Sequence, residues 1–414
     1  MTQTSKTRGL HILVAAVLIE LCLGTGLGWS LFVRPLMDLH GWTRSQVTFT
    51  LSVSLLFNGL GYFLIGYWAD HYPRRMSVLG GLLFGFGIAA SGLAALSGWR
   101  YLMYACYGMI GGFAISLPYL SALSAAIKWF PHRRGMVAGI VIMGCGTGAV
   151  LVGFLAPSLR QRFGPGMTLF GMGVVFMLVC GVLGFVIRNP PGQEPPADRP
   201  SLWRLIPVEA FGYKRFWGLW TIQLISMSAG LGLLSQAALL AMEQQRLDLP
   251  TAGKLVALMA ICNGLGRLFW PSLSDRFGRR QILLVLFLGQ GLVLAAITHI
   301  GPLWLFAVAL CYLPFCYGGN CGVLPAFTAD LFGTDKVGRM YGPVISAQSV
   351  AGLVGPLLFS NLRQSTGSYT LPTHIVGIVL LLACVLPAIV GRKTLSGGER
   401  QHKRTEEVTS CCRS

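Results

Sequence analysis

Residues 66–75 read Gly66-Tyr67-Trp68-Ala69-Asp70-His71-Tyr72-Pro73-Arg74-Arg75, and residues 271–280 read Pro271-Ser272-Leu273-Ser274-Asp275-Arg276-Phe277-Gly278-Arg279-Arg280. Each carries one aspartate and a basic pair, and each follows a long apolar stretch. The two aspartates stand 205 residues apart (70 to 275), close to half of the 414-residue chain. A second pair repeats at nearly the same offset: WFPHRRGMVAG from Trp129 and LFGTDKVGRMYG from Leu331. A chain that echoes itself at half its length is two copies of one unit.

The apolar stretches say what that unit is. A helix needs about 20 apolar residues to cross a bilayer. Windows of that length fall at 10–34, 47–69, 76–97, 100–127, 135–159 and 167–187, then at 217–242, 251–273, 280–300, 302–328, 337–362 and 370–391. Between the sixth and seventh lies RNPPGQEPPADRPSLWRLIPVEAFGYKR, from Arg188 to Arg215. Its prolines rule out one continuous helix. The expectation is an all-α membrane protein: twelve transmembrane helices in two pseudo-symmetric six-helix bundles, an architecture used by carriers. Its parts are a cytoplasmic N-terminus (1–9), an N-terminal bundle (10–187), a cytoplasmic linker (188–216), a C-terminal bundle (217–391) and a cytoplasmic tail (392–414).

Composition agrees. The chain is 54% hydrophobic and 11% charged, whereas a soluble domain is about one-quarter charged. So few charges cannot cover a soluble body of this size, nor keep a chain disordered. The first apolar run is long enough to span, so it reads as a helix rather than a cleavable signal.

The net charge of +18 suggests nucleic acid only until the charges are located. With both termini inside, 23 of the 32 Lys and Arg fall in inside segments and 8 in outside loops. The remaining one, Arg267, lies within a span. This positive-inside bias places both termini in the cytoplasm, for a multi-pass protein of the cell (inner or plasma) membrane. It makes a nucleic-acid partner unnecessary.

The repeated loop resembles the loop motif of the major facilitator superfamily, and the resemblance covers nearly the whole chain. His71 and Pro73 stand where that family often has Arg and Gly. The physical role would be a gate: Asp70 or Asp275 at a helix N-terminus or against basic residues, and Arg74 and Arg75 with facing helix ends, Arg279 and Arg280 being the gating pair of the second half. The plainer reading is loop anchoring by positive charge. An aspartate at matching places in both halves argues against it.

Charges inside spans cost about 2.5–3.5 kcal/mol on insertion scales, so two deep ones stand out. Arg267 lies in ALMAICNGLGRLFWPSLSD. Its guanidinium stays charged and offers a planar fork matched to a carboxylate. Asn263, one turn earlier on the same face, can orient it or touch substrate. A structural arginine paired with an acid such as Glu20 is the alternative. Glu20, in HILVAAVLIELCLG, is a carboxylate in low dielectric, where the neutral form is favoured. It is the deepest candidate for proton coupling; a neutral structural Glu and an ion-pair partner are the alternatives.

The segment N-G-L-G-R-L-F-W-x-x-x-S-D-R-F-G-R resembles the eighth span of the bacterial oxalate/formate antiporter group, which is related to monocarboxylate transporters. So do WSLFVRPLMD from Trp29, KWFPHRRGMVAG from Lys128 and YGGNCGVLPAFTADLFG from Tyr317. The resemblance implies that Arg267 binds a substrate carboxylate and that Tyr119 and Tyr317 help line the pocket. Two departures bear on the substrate. Gln348 stands where the oxalate carrier has a lysine, and Cys145 where it has a tyrosine. One cation rather than two implies a monocarboxylate, lactate-like or somewhat larger. Animal monocarboxylate transporters have an aspartate where this chain has Asn263, so their proton site does not carry over.

Further polar or irregular positions complete the picture. Tyr119 follows Pro118, whose ring frees a backbone carbonyl, and Tyr317-Gly318-Gly319-Asn320 should loosen the tenth span. Trp29 either caps the outer side of the cavity or anchors at the interface. Gln223 and Gln236 can face the cavity, but periodicity does not settle it. Gly135-x-x-x-Gly139 and Gly144-x-x-x-Gly148 permit close helix contact.

Nine of the 11 cysteines lie in apolar stretches and two, Cys411 and Cys412, in the tail. No Cys/His cluster with metal-ligand spacing appears, so no metal and no cofactor is expected. The tail string Leu395-Ser396-Gly397-Gly398-Glu399-Arg400-Gln401 matches the signature of ATP-binding cassette ATPases, but no phosphate-binding loop accompanies it. No catalytic set appears within the spans, so an enzyme is not expected.

The reading is a monomeric secondary carrier of a small monocarboxylate, working by alternating access with proton symport. Its partners are the carboxylate, protons and the lipid bilayer. Carboxylate/carboxylate antiport of the oxalate/formate type and a non-transporting membrane sensor are its rivals.

Overall fold

The computed structural model describes residues 3–192 and 208–391. Most of the linker and the whole tail, including the ATPase-like string and Cys411-Cys412, lie outside the described residues. Within them the chain is helical, with no strand.

The membrane-length helices, in chain order, are α1 (Gln3–Gly24), α2 (Arg44–His71), α3 (Pro73–Ser97) and α4 (Arg100–Trp129). One helical run, Arg134–Gly184, has 51 residues. Straight, it would be about 75 Å long, more than twice the roughly 30 Å hydrocarbon core. It is not straight. Gly164 has φ 77° and ψ 166°, a conformation open to glycine, and Pro165 restarts the helix with a ring already set to helical φ. The two arms are α5 (134–163) and α6 (165–184). Then follow α7 (Lys214–Gln245), α8 (Leu249–Phe277), α9 (Arg279–His299), α10 (Leu303–Phe332), α11 (Thr334–Thr366) and α12 (Thr370–Val390). That makes twelve crossings in two sets of six.

Apolar side chains do not drive helices together in lipid, since the tails are equally apolar. Accordingly Phe154, Trp304 and Leu382 point outward, about 70–80% exposed. Backbone approach at small residues joins the helices instead. A Cβ on Gly148 would lie 1.9 Å from the Leu21 carbonyl oxygen, and one on Gly144 2.5 Å from that of Val17. These glycines seat α5 on α1. Gly135 and Gly139 of the same helix meet Pro271 and Arg267 backbone on α8. The glycines of α5 therefore serve two interfaces, one inside the N-terminal half and one between halves.

Two spans are irregular. After Gly24 the chain makes a 3₁₀ segment, Thr25–Trp29, before helix resumes at Ser30–His40. Across from it, Tyr104–Gly111 of α4 is a π-helix. The Tyr107 hydroxyl donates to the Gly26 carbonyl (3.1 Å), and the Trp29 and Tyr107 rings lie 4.3 Å apart. The loosening expected at Pro118 and at Gly318-Gly319 does not break either helix. α4 stays helical through Pro118, and α10 through both glycines. Those glycines mark close approach: a Cβ on Gly318 would lie 2.2 Å from the Asn263 carbonyl oxygen, and one on Gly319 2.5 Å from the Trp270 ring.

Candidate functional site

A cavity of about 470 Å³ lies between the halves. Six of the predicted residues line it: Glu20, Tyr119 and Cys145 from the N-terminal half, and Arg267, Tyr317 and Gln348 from the other. Asn263 stands behind Arg267. Its Oδ1 accepts from Arg267 Nε (3.0 Å), and its Nδ2 donates to the Pro314 carbonyl (3.2 Å). Arg267 Nη1 donates across the halves to the Ile142 carbonyl (2.9 Å). Nη2 makes no hydrogen bond to a protein nitrogen or oxygen among the described residues, and the Cys145 thiol lies beside the guanidinium. The guanidinium is thus anchored at two atoms, with its remaining fork turned to the cavity.

Glu20 does not pair with Arg267: among the described residues no ion pair within 4 Å joins them, so the reading of a locked pair is set aside. Both Glu20 oxygens are buried without a hydrogen-bond donor. Between the two charges runs the backbone of α5. Ile142 binds Arg267, while Gly144 and Cys145 press on α1, a Cβ on Gly144 falling 3.1 Å from that of Glu20.

Trp29 is corrected on both readings. It is buried, donates from Nε1 to the Val47 carbonyl (3.3 Å) and packs at a tilt against the Tyr107 ring. Tyr107, not Trp29, lines the cavity. Gln223 is buried against Asn320, whose Nδ2 donates to Gln223 Oε1 (3.3 Å), and Gln236 Oε1 accepts from the Tyr369 hydroxyl (3.0 Å). Neither glutamine lines the cavity.

Sequence reasoning missed Asn58, Tyr62, Tyr107 and Tyr341, which also line the cavity. The 205-residue repeat held the signal for two of them. Asn58-Gly59-Leu60-Gly61-Tyr62 superposes on Asn263-Gly264-Leu265-Gly266-Arg267. The packing repeats too. Asn58 Nδ2 donates to the Gly112 carbonyl of α4 (3.3 Å), as Asn263 does to Pro314 of α10. Gly61 and Gly266 are the close approaches beside them. One half therefore presents a phenol where its twin presents a guanidinium.

At one end the loops of the repeat join the halves. The helices beginning at Arg134 and Val337 have flanking residues, Arg133 and Lys336, without a capping side chain. Their free N–H groups are capped from the opposite half. Asp275 accepts from Gly135 N (3.0 Å) and Met136 N (2.8 Å). Asp70 accepts from Gly338 N and Arg339 N, both 2.8 Å. Negative charge at a helix N-terminus is favourable there.

Lys128, read from sequence as a loop cation, is buried against Asp70. Its Nζ lies 3.3 Å from Oδ1 and 2.9 Å from the Asp70 carbonyl oxygen, and Ser124 Oγ donates to Oδ1 (2.5 Å). On the other side Arg279 binds both Asp275 (2.5 Å) and Asp330 (3.0 Å), and Arg134 reaches Asp330 across the halves (2.9 Å). Arg74 and Arg75 do not reach facing helix ends. They lie over the Phe185 and Tyr72 rings of their own half, at 4.9 and 5.6 Å. Arg280 is exposed beside Gly391 and makes no ion pair among the described residues.

Two six-helix halves around a central cavity, tied at one end by reciprocal helix caps, define a multi-pass membrane transporter. The chain belongs to the Major Facilitator Superfamily, whose profile matches residues 15–356 and again 227–411. It is similar to the oxalate:formate antiporter of Oxalobacter formigenes, 27% identical over 374 residues that cover 85% of this chain and 86% of that one. It is similar to the apicoplast pyruvate carrier 1 of Toxoplasma gondii, 25% identical over 386 residues that cover 77% and 70%. Among solved structures, an outward-facing bacterial homologue of the iron transporter ferroportin superposes with a TM-score of 0.75 at 17% identity, over 92% of this chain and 99% of that one.

Proposed function

We propose that the protein carries a small organic monocarboxylate, most simply lactate-like, by alternating access with proton symport. The observation that carries the reading is the Arg267 fork, held from behind by Asn263 and Ile142 and left open on the cavity side. A guanidinium so placed can take a carboxylate through parallel hydrogen bonds. The similarity to an oxalate:formate antiporter and a pyruvate carrier supports an anionic substrate. With Gln348 lining the cavity, Arg267 is its one permanent cation among the described residues, which suits one carboxylate.

Glu20 supplies the coupling. Burying an unpaired carboxylate as an anion costs far more than burying the neutral acid. In the state seen here Glu20 therefore holds its proton, and an incoming carboxylate neutralises the charge of Arg267. Release of the carboxylate frees Arg267 to offset an ionised Glu20, so the proton leaves with the substrate. Substrate and proton then travel one to one.

Both termini face the cytoplasm on the charge bias, so the end tied by Asp70 and Asp275 is the cytoplasmic gate. The hydrogen bonds found between the halves, among the described residues, run from Arg267 to that end. The cavity extends the other way, to Gly26, Ser235 and Pro356, so this state faces outward. Counterflow of labelled lactate, pyruvate and larger monocarboxylates in proteoliposomes tests the reading. Exchange of a monocarboxylate supports it; no exchange of any carboxylate by folded protein removes it, and exchange requiring a dicarboxylate favours the antiport rival.

A further inference from the structure

A second cavity, of about 870 Å³, lies at the gate end of the N-terminal half, apart from the central one. Arg8, His11, His71, Arg74, Arg75 and Arg188 line it, and no Asp or Glu does among the described residues. None of these four arginines has a carboxylate partner among the described residues. Arg74 and Arg75 rest on aromatic faces, an arrangement that leaves guanidinium edges free to donate. The wall behind them is fixed: Trp129 Nε1 donates to the Arg188 carbonyl (2.8 Å), and Asn189 Nδ2 to that of Asp70 (2.7 Å). Clustered guanidiniums without acids are matched by phosphate oxygens.

Two apolar tracks lead away from this cavity. On α3, Arg75 is followed by Leu79, Leu82 and Phe86, one helix face at i+4, i+7 and i+11, all three exposed. On α6 and its end, Phe185, Val182, Leu178 and Val175 form the same kind of exposed stripe. The tracks adjoin, since a Cβ on Gly181 would lie 3.2 Å from the Leu82 side chain. Each runs roughly 15 Å towards the bilayer centre. A soluble phosphate compound has no use for them; two acyl chains do. We propose that this cavity holds the phosphodiester headgroup of an anionic phospholipid, with its acyl chains laid along the α3 and α6 stripes. The inference rests on the membrane placement of the fold and is independent of the carboxylate reading.

The test uses the purified full chain in a neutral detergent, titrated with phosphatidylglycerol, with phosphatidylcholine of the same acyl chains, or with inorganic phosphate, and read by native mass spectrometry. Phosphatidylglycerol should bind about tenfold or more tighter than phosphatidylcholine, and less tightly as salt is raised. In the Arg8→Gln/Arg188→Gln double variant its binding should weaken about fivefold per arginine removed. Neither arginine side chain forms a hydrogen bond or ion pair among the described residues, so the variant should fold. Equal binding of the two lipids, or unchanged binding by the variant, would overturn the proposal. Displacement of the lipid by equimolar inorganic phosphate would overturn the lipid assignment in favour of a soluble phosphate ligand.

Discussion

Arg267 commits Nε and Nη1 to oxygen atoms of the protein and keeps Nη2 for the cavity, so its substitution should act on substrate before it acts on fold. Arg267→Gln is expected to cut carboxylate counterflow about 100-fold or more, since each hydrogen bond to a charged group is worth roughly 1.5–3 kcal/mol. Arg267→Lys keeps the charge but loses the planar fork and should fall between. Counterflow by either variant at the parent rate, at equal reconstituted amount, refutes the role. Glu20→Gln separates coupling from binding. Parent uptake should rise as external pH falls, because protonation of Glu20 precedes the loaded state; the variant should show a flat profile while still exchanging substrate. A variant that keeps the slope clears Glu20 of coupling. Both residues were legible in sequence because a charge deep in an apolar run is costly and marks itself. Tyr341 was not, since a tyrosine in an apolar run carries no such mark; Tyr62 carries none either, and only its 205-residue register with Arg267 points to it. Lys128 was misread because window edges do not say whether a terminal cation turns to water or, as here, to a buried aspartate.

At the scale of helices, backbone contact at glycine decides the packing, and that gives a paired test. Gly148→Ala pushes a methyl onto the Leu21 carbonyl, whereas Gly153→Ala has nothing within 4 Å. The first should destabilise by about 1–3 kcal/mol, the usual cost of overpacking, and the second should be neutral. Thermal denaturation in detergent checks both, and equal midpoints would contradict the close α1–α5 contact. Such helices were readable because length and hydropathy identify a span whatever its neighbours. The separation of the fifth and sixth spans was readable for the same reason, although the turn between them is made at the single residue Gly164. The 3₁₀ segment at Thr25–Trp29 and the π-helix at Tyr104–Gly111 were not. Their backbone is set by what they meet, Tyr107 on Gly26 and Trp29 on Tyr107, and local propensity has no term for that. Pro118 and Gly318-Gly319, which permit irregular backbone, serve here as contact surfaces.

In the molecule as a whole, the two ends of the gate are built alike and weighted differently. Each aspartate caps a helix of the other half through two backbone N–H groups, and those bonds must break for the halves to part. Asp70 would keep Lys128 and Ser124 in the parted state, since both belong to its own half. Asp275 would keep Arg279, while the Arg134–Asp330 bridge would be lost. Removing a cap therefore destabilises the closed state relative to the open one without emptying the protein's core. Asp275→Ala should shift the balance towards inward-open about tenfold or more, the equivalent of one hydrogen bond to a charged group. Spin-label distances between the inner ends of α5 and α8 should lengthen in the larger population. External substrate should bind more weakly, because fewer molecules present the outward cavity. Lys128→Met should behave otherwise. It leaves Asp70 buried without its cation, a loss of about 3–5 kcal/mol for such pairs. Because that pair lies inside one half it weakens both states, so folded yield should drop while the distance distribution of the surviving protein stays put. Identical distributions for Asp275→Ala and the parent would mean that the reciprocal caps do not hold the gate.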